Sequence, residues 1–246
     1  MKQFLFFLLI ALFPFSGFPQ TTINKQDASG KKQGPWVKMD TAGRKIYEGQ
    51  FKNNIPQGTF KYYYPNGAVK AVSVFSEDGN TTTTTTYFQN GKKNAEGKYV
   101  NEKREGLWKF FSGFDETFVA DETYKAGIRN GPARTYYSGK TIVQLINWTD
   151  GLRDGPWIQY FDDGKVKLQG SYKKDMKDGP IVVFYPNGQK FNTGQYFNGY
   201  PEGKWLTYDL EGKLQFTDIY DHGVLIKTDK TPEPTPTEIK VKEDEK

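Results

Sequence analysis

Histidine and cysteine, which often serve as catalytic base and nucleophile, are nearly absent from this sequence. The chain contains no cysteine and one histidine, His222, which lies in the turn-like segment Asp221-His222-Gly223. The surrounding sequence supplies no convincing Ser-His-Asp or Cys-His combination, and a solvated turn residue is the simpler interpretation of His222. The sequence therefore predicts no catalytic residues, and we expect a protein that is not an enzyme.

Acidic residues raise the question of metal binding at two places, Asp162-Asp163 and residues 175–178. Calcium loops place oxygen ligands at alternating positions, and neither segment has that spacing. Without cysteine, no thiolate metal site can form. The glycine-rich turns lack phosphate-binding spacing, and paired carboxylates for glycoside hydrolysis are not identifiable. We therefore expect no metal and no cofactor.

The elements that carry these residues repeat along the chain. A glycine recurs at spacings of 24 or 25 residues, apart from one gap of 48 residues that contains a degenerate unit near 82–105. A period in this range is typical of a tandem repeat array, and eight units fill residues 34–226. The recurring glycines are Gly34, Gly58, Gly106, Gly131, Gly155, Gly179 and Gly203.

Aromatic residues recur at fixed positions when each unit is numbered from its glycine as position 1. We predict that they are structural, because a ring repeated in nearly every unit fits a packing ladder better than a ligand site. Position 3 holds Trp36, Phe60, Trp108, Trp157 and Trp205, with Thr84, Ala133 and Ile181 as departures. Position 6 includes Tyr63, Tyr160 and Tyr208, and position 18 includes Tyr99, Tyr172, Tyr196 and Tyr220.

Each unit has the pattern of a β-hairpin. The predicted strands cover positions 2–7 and 11–18, rich in aromatic and β-branched residues, and glycine or asparagine marks the turns between them. Two turns in each period of 24 residues leave no room for a helix. The predicted fold class is all-β: an elongated, twisted, single-layer antiparallel sheet of eight tandem hairpins.

Two details of the repeat predict local packing. Glycine is frequent at position 16, where it leaves space for a neighbouring ring to lie over the backbone. The degenerate third unit begins with a run of threonines, which keep strand propensity, so we expect the sheet to continue there with a less aromatic surface. An insertion around 113–120 in the fourth unit predicts a longer turn or bulge.

Position 7 is the most suggestive place for partner binding, because it varies while position 6 does not. Adjacent residues in a strand point to opposite faces, and a single-layer sheet leaves one face uncovered. We therefore predict that some of these rings are exposed and contact a partner. The position 7 aromatics are Tyr64, Phe88, Tyr137, Phe161 and Tyr185.

The two ends of the chain differ in composition from the array. Residues 1–20 combine a basic start, an apolar run of about 12 residues and a small-residue region, which predicts a signal peptide and an exported protein, periplasmic, outer-membrane-associated or secreted. Residues 21–33 resemble the trailing turn of a partial unit that caps the array. Residues 227–246 are rich in proline, threonine and charge, which predicts a disordered tail.

The repeat resembles the bacterial variant of the MORN (membrane occupation and recognition nexus) repeat. The best match is Tyr185-Pro186-Asn187-Gly188, followed by Gly194-Gln195-Tyr196-Phe197-Asn198-Gly199 and Glu202-Gly203-Lys204-Trp205. The resemblance implies tandem hairpins in an elongated sheet, and binding or scaffolding roles. Some members are labelled antitoxins, and distant relatives are associated with phospholipids. The predicted signal peptide is a departure that weakens the case for neutralising a cytoplasmic toxin.

These observations predict an exported, non-enzymatic repeat scaffold that mediates protein–protein interaction at the cell envelope. Two alternatives stay open: a module that binds a surface glycan or anionic lipid, and an antitoxin or immunity-type protein that neutralises a toxin. The formal net charge of +5 gives the anionic-lipid alternative weak support. No nucleic-acid partner is expected.

Overall fold

The computed structural model describes residues 22–138 and 141–231, and throughout these residues the chain forms one antiparallel sheet without a helix. Nineteen strands follow one another as a meander, each pairing with its chain neighbour, so that the sheet is open and has β1 and β19 at its edges. The predicted signal peptide and most of the predicted tail lie outside the described residues. The all-β prediction is confirmed.

The strands have these bounds: β1 Lys25–Gln26, β2 Lys32–Met39, β3 Lys45–Lys52, β4 Ile55–Tyr63, β5 Val69–Phe75, β6 Thr81–Tyr87, β7 Lys93–Val100, β8 Lys103–Phe111, β9 Phe118–Lys125, β10 Ile128–Tyr136, β11 Ile142–Thr149, β12 Leu152–Tyr160, β13 Val166–Lys173, β14 Met176–Lys177, β15 Gly179–Phe184, β16 Lys190–Phe197, β17 Tyr200–Tyr208, β18 Leu214–Asp221 and β19 Val224–Lys230. β14 and β15 both pair with β13 and occupy the place of one strand interrupted at Asp178.

Two kinds of turn alternate along the array. Within a unit, the turn is closed by two backbone hydrogen bonds, as between Tyr64 N and Ala68 O (2.8 Å) and between Gly67 N and Tyr64 O (2.9 Å). Between most units, two consecutive residues have positive φ, as in Asn53 (53°) and Asn54 (69°). Such two-residue turns match the right-handed twist of antiparallel strands.

The recurring glycine has a different role from the predicted one. The sequence predicts that the first strand begins just after it, but β4 begins at Ile55 and contains Gly58 at a φ of 62°. Gln57 pairs with Gln50 and Lys61 pairs with Glu48, so three residues of β4 lie opposite one residue of β3. The glycine therefore sits in a β-bulge, which requires a left-handed backbone.

The bulge places the position 3 ring over the preceding unit. The ring of Phe60 lies over Gly49, where an added Cβ would come within 2.5 Å of ring atoms, and Phe60 is 2% exposed. The same arrangement joins Trp108 to Gly97 and Trp205 to Gly194. The prediction that position 16 glycines make room for rings is correct at these three places. We call this side of the sheet, with positions 3, 5, 14, 16 and 18, the ring face.

The opposite side, which we call the back face, carries the position 4, 6 and 15 side chains. In the first half of the array it is rich in charges: Tyr63 donates its hydroxyl hydrogen bond to Glu48 (2.5 Å), and Asp121 accepts from Tyr136 (2.7 Å) and Arg134 (3.1 Å). Burial and these carboxylates raise the pKa of both tyrosines to about 12.

Both ends of the array contribute strands. β1 pairs with β2 at Lys25↔Gln33, and the turn that follows β1 is held by Asp27, within the segment that the sequence assigns to a partial capping unit. At the other end β19 pairs with β18 as far as Phe216↔Lys230. Residues 227–230, which the sequence assigns to the disordered tail, are thus part of the sheet, because their backbone continues the hydrogen-bonded ladder.

Candidate functional site: the threonine groove

The third unit differs from its neighbours in backbone as well as in side chains. It has Thr82 where other units have the bulge glycine, and β5 pairs with β6 in unbroken register from Ala71↔Thr86 to Phe75↔Thr82. The prediction that the sheet continues through this unit is therefore correct. Without the bulge and the position 3 ring, Thr82, Thr84 and Thr86 lie in a row on the ring face.

This row forms the floor of a groove of about 540 Å³, which we call the threonine groove. Tyr62, Phe75 and Tyr99 form its aromatic walls. Its volume lies in the range of small-molecule and side-chain binding sites, and it combines apolar walls with a few polar groups. The pattern that defines such sites is thus present on a sheet that in most other units fills the same place with its own ring.

The floor of the groove is polar but internally satisfied. The hydroxyl groups of Ser73 and Thr84 are 2.8 Å apart, and Thr84 and Thr82 hydroxyl oxygens are 3.5 Å apart. All three residues are buried, at 7%, 5% and 8% exposure. Because a buried hydroxyl without a partner is costly, this chain of hydrogen bonds stabilises the floor with no ligand present.

The walls belong to the aromatic ladder. Elsewhere a position 3 ring lies between two position 18 rings: Phe60 is 5.2 Å from Phe51 and 5.0 Å from Phe75 between ring centroids, both edge to face. The position 18 rings of the groove are Phe75 and Tyr99. Both residues pair with Thr82, which lies in the strand between them. Thr84 supplies no ring between them, so the groove is the place of one missing ring.

The rim of the groove carries charge and a strained turn. Lys70 and Glu102 lie at the rim. Glu102 has a φ of 62°, in a turn position where most other units have asparagine, aspartate or glycine. A glutamate in the left-handed region is unfavourable, and such strain concentrates at functional sites. Burial raises the pKa of the Tyr62 hydroxyl, with Tyr47 and Glu102 adding to the effect, so Tyr62 remains a neutral hydroxyl at neutral pH.

A second, smaller cavity marks another departure at position 3. Ala133 replaces the ring there, and a space of about 120 Å³ lies beside it, lined in part by Glu122 and Trp148. Glu122 is paired with Arg129 at 2.7 Å. Ile181, the remaining departure, is 5% exposed and fills its place. Grooves therefore form where the substitute at position 3 is small.

The predicted partner-binding rings at position 7 lie in separate turns along one edge of the array, and the structure does not bring them together. Three of them donate a hydroxyl hydrogen bond to the position 6 carbonyl of the next unit: Tyr64 to Tyr87 O (2.8 Å), Tyr185 to Tyr208 O (3.0 Å) and Tyr137 to Tyr160 O (3.3 Å). Phe88 packs near Gly113, and Phe161 lies 5.8 Å from the Lys167 ammonium. Binding by these rings stays a prediction, beside a structural role for the three hydroxyl groups.

The ring face carries a row of cations that was not predicted from the sequence. Each cation comes two residues before the bulge glycine and lies over a ring, as Arg104 lies 4.5 Å from the Trp108 ring. Their recurrence at one repeat position is the signal that could have identified them. The cations, with the distance to one ring, are Lys32 (Phe51, 4.8 Å), Arg104, Arg129 (Trp148, 4.8 Å), Arg153 (Tyr172, 4.3 Å) and Lys177 (Tyr196, 4.9 Å).

The inserted turn of the fourth unit, between β8 and β9, also has a feature that the sequence did not reveal. The turn docks on its neighbour, where Asn90 Nδ2 donates to Gly113 O at 2.9 Å. Phe114, at its tip, is 86% exposed. An apolar ring so exposed is unusual, although a single one does not define a site.

His222 lies in the last turn, beside two acids. Asp221 Oδ1 is 2.5 Å from its Nδ1, and this hydrogen bond raises the pKa of His222. Glu202, Asp221 and His222 are close enough to hold a metal ion, but Asp221 and His222 are exposed and Glu202 already accepts the backbone N–H of His222. The acidic turns have structural partners: Asp175 Oδ1 accepts from Arg153 Nε at 2.8 Å. The expectation of no metal site stays a prediction.

The described part of the chain contains no helix long and apolar enough to cross a membrane. A solved structure entitled "Crystal Structure of TcdB2-TccC3-TEV" is similar at 10% sequence identity and a TM-score of 0.22, covering 74% of this chain and 12% of that one. At this TM-score the likeness does not establish a shared fold.

Family models match three stretches of the array. The MORN repeat variant matches residues 153–174 and 201–222, and the MORN repeat matches residues 47–69. The first two stretches each span the two strands of one unit, and the third spans the second strand of one unit and the first strand of the next. MORN repeats are modules of interaction with proteins or membranes. These matches identify MORN repeats at three places within the array of tandem hairpins.

Proposed function

We propose that this protein is an exported, non-enzymatic scaffold that binds a partner protein at the cell envelope through the threonine groove. The observation that carries the proposal is the gap in the aromatic ladder at Thr84, where backbone pairing continues without a bulge. A lost ring normally leaves a destabilising void. Here the floor is rebuilt with hydrogen-bonded hydroxyls, which supports a role for the groove beyond packing.

A protein partner fits the chemistry of the groove. Binding energy at protein interfaces concentrates in a few anchors, often aromatic, that fill desolvated pockets. The groove offers such a pocket, with Phe75 and Tyr99 as walls and the charged Lys70 and Glu102 at its rim. The sheet on either side extends by about 10 Å per hairpin, which supplies a long surface for secondary contacts.

Export is part of the proposal and is supported by the sequence of residues 1–20. A basic start followed by a short apolar run is the pattern of a secretory signal peptide. The absence of cysteine from the chain is compatible with an oxidising compartment. Cell fractionation with an antibody to the array tests this part independently of partner binding.

The partner proposal is tested by affinity capture with the chain from residue 21 onward, using envelope extract of the source organism. The variant Ser73→Gly/Thr84→Trp rebuilds the missing ring and its glycine, and Ser73→Gly alone is the matched control. We expect one stoichiometric protein to be captured by the wild type and the control, and at least about tenfold less by the double variant. Equal capture by all three would overturn the role of the groove.

A second candidate, binding to an anionic lipid or glycan, is favoured by the row of cations on the ring face. Arg129 and Arg153 of this row are paired with Glu122 (2.7 Å) and Asp175 (2.8 Å), which reduces the charge available to an anion. Sedimentation with anionic vesicles at two salt concentrations tests it, because electrostatic binding weakens as salt rises. Capture of a toxin would instead identify the antitoxin alternative.

A further inference from the structure

We infer that the threonine groove receives one aromatic side chain, an indole or a phenol, from the partner protein. This inference rests on the proposed function and specifies the chemistry of the contact. It comes from the molecule itself: the remainder of the ladder shows which group lies between two position 18 rings, and the groove has the two rings without that group.

The geometry of an occupied place defines the expected fit. Trp205 lies between Tyr196 and Tyr220, with centroid separations of 5.1 and 6.0 Å and edge-to-face angles of 85° and 70°. Phe60 lies between Phe51 and Phe75 at 5.2 and 5.0 Å. Aromatic rings prefer these edge-to-face contacts, which favour an aromatic occupant over an aliphatic one.

The floor of the groove favours a ring over a sugar. Ser73 and Thr84 satisfy each other at 2.8 Å, and both are buried. A sugar that displaced water here would bring several hydroxyl groups against a floor whose own hydroxyls are already bonded. The flat face or edge of a ring needs no hydrogen bond from this floor.

The occupant comes from outside the chain because β6 carries no ring at Thr84, and Ser73 stands where three other rings lie over glycine. At Gly49, Gly97 and Gly194 an added Cβ would come within 2.2 to 2.5 Å of the overlying ring. A ring carried by β6 at Thr84 would lie directly opposite the Ser73 side chain. A ring that enters from the solvent side can stop above Ser73 and still contact Phe75 and Tyr99.

The inference is tested by NMR titration of the isotope-labelled chain from residue 21 with N-acetyl-tryptophanamide as the probe. N-acetyl-leucinamide is the matched apolar control. We expect saturable shifts at Thr82, Thr84 and Thr86, with a dissociation constant on the order of 1 mM for a ligand of this size. The leucine probe is expected to bind at least about fivefold more weakly.

Two different variants are used to fill the groove, so that the test still works if one of them does not fold. Ser73→Gly/Thr84→Trp supplies an internal ring, and Ala71→Leu adds bulk at position 14, where Leu168 occupies the equivalent place. Each variant is first shown to be folded by circular dichroism. Either folded variant is then expected to abolish the saturable shifts. Shifts that persist in a folded, filled variant, or equal binding of the two probes, would overturn the inference.

Failure of this inference is distinguishable from failure of the proposed function. Loss of partner capture in the filled variants without any binding of the tryptophan probe rejects the aromatic occupant and retains the groove as the partner site. Probe binding with undiminished partner capture supports a ring-accepting groove and rejects its use by that partner.

Discussion

The third and fourth units bury the same repeat position in opposite ways. Trp108 has no exposed surface, lies over Gly97, and donates its indole N–H to Lys98 O at 3.1 Å. Thr84, one unit earlier, is 5% exposed and is held by a hydroxyl pair with Ser73. In the fourth unit the position is filled by the Trp108 ring. In the third unit the hydroxyl pair forms the floor of the threonine groove, which is open above it.

The comparison shows that strand pairing and ring packing are separable in this sheet. Gly106 forms the bulge that shifts β8 against β7, whereas Thr82 leaves β6 in unbroken register with β5. In the fourth unit the bulge glycine Gly106, the Trp108 ring and the underlying Gly97 occur together, and the third unit has none of the three. Replacing the whole set produces a groove without breaking the sheet.

The largest effect should come from removing a ring. Trp108→Ala is expected to destabilise the array by about 3–5 kcal/mol, since it empties a fully buried place, and Thr84→Ala by only about 1–2 kcal/mol. Urea denaturation followed by tryptophan fluorescence and circular dichroism measures both midpoints. Equal losses would mean that the third unit relies on its floor as much as the fourth relies on its ring.

A glycine beneath a ring should tolerate substitution by alanine less well than a glycine with space above it. In Gly97→Ala the new methyl group would lie 2.4 Å from the Trp108 ring, and we expect a loss of about 1–3 kcal/mol from overpacking. Gly170→Ala is the matched control, because its nearest neighbour is 3.4 Å away.

Thermal midpoints of the two alanine variants provide the measurement. Gly170→Ala should change stability by no more than about 0.5 kcal/mol. If both variants unfolded at the same temperature, the close approach of Trp108 to Gly97 would not be a packing constraint.

Relieving the turn between the third and fourth units should stabilise the array slightly. Glu102→Gly removes a side chain from the left-handed region and is expected to add about 0.5–1 kcal/mol. Glu102→Ala removes the same charge but keeps the strain, so it separates the two causes. No gain from glycine relative to alanine would show that the backbone at Glu102 is not strained.

The smallest effect concerns the back face, at high pH. The pKa of Tyr63 and of Tyr136 is raised to about 12 by burial and by Glu48 and Asp121, respectively, so the folded state holds these protons more tightly than the unfolded state. Their contribution to stability is complete below pH 10 and is lost as pH rises from about 10 to 12. Denaturation midpoints of wild type and Tyr63→Phe/Tyr136→Phe across this range should show a shallower decline in the variant.

The sequence predicted most of the architecture because the repeat is periodic. Turn residues and rings at constant spacing define hairpins, and glycine at position 16 correctly indicated rings over the backbone. The role of Gly58 was not predictable in the same way, since glycine marks both strand ends and bulges. The hydrogen bond of the Tyr64 hydroxyl to the next unit depends on how successive hairpins align, which no single unit specifies.

The candidate site was only half visible in the sequence. Thr84 and Ala133 were recognisable as departures from the ladder, and a less aromatic surface was expected there. The groove itself depends on Phe75 and Tyr99, which belong to different units and approach each other through strand pairing. Ser73 could be recognised as part of the site only after the structure placed rings over the equivalent Gly49, Gly97 and Gly194.

A crystal structure of Ser73→Gly/Thr84→Trp tests the central claim most directly. If the groove is the place of one missing ring, the new indole will lie between Phe75 and Tyr99, with ring centroids separated by about 5–6 Å and the groove filled. An indole projecting into solvent above an open groove would contradict this account, as would separation of β5 from β6.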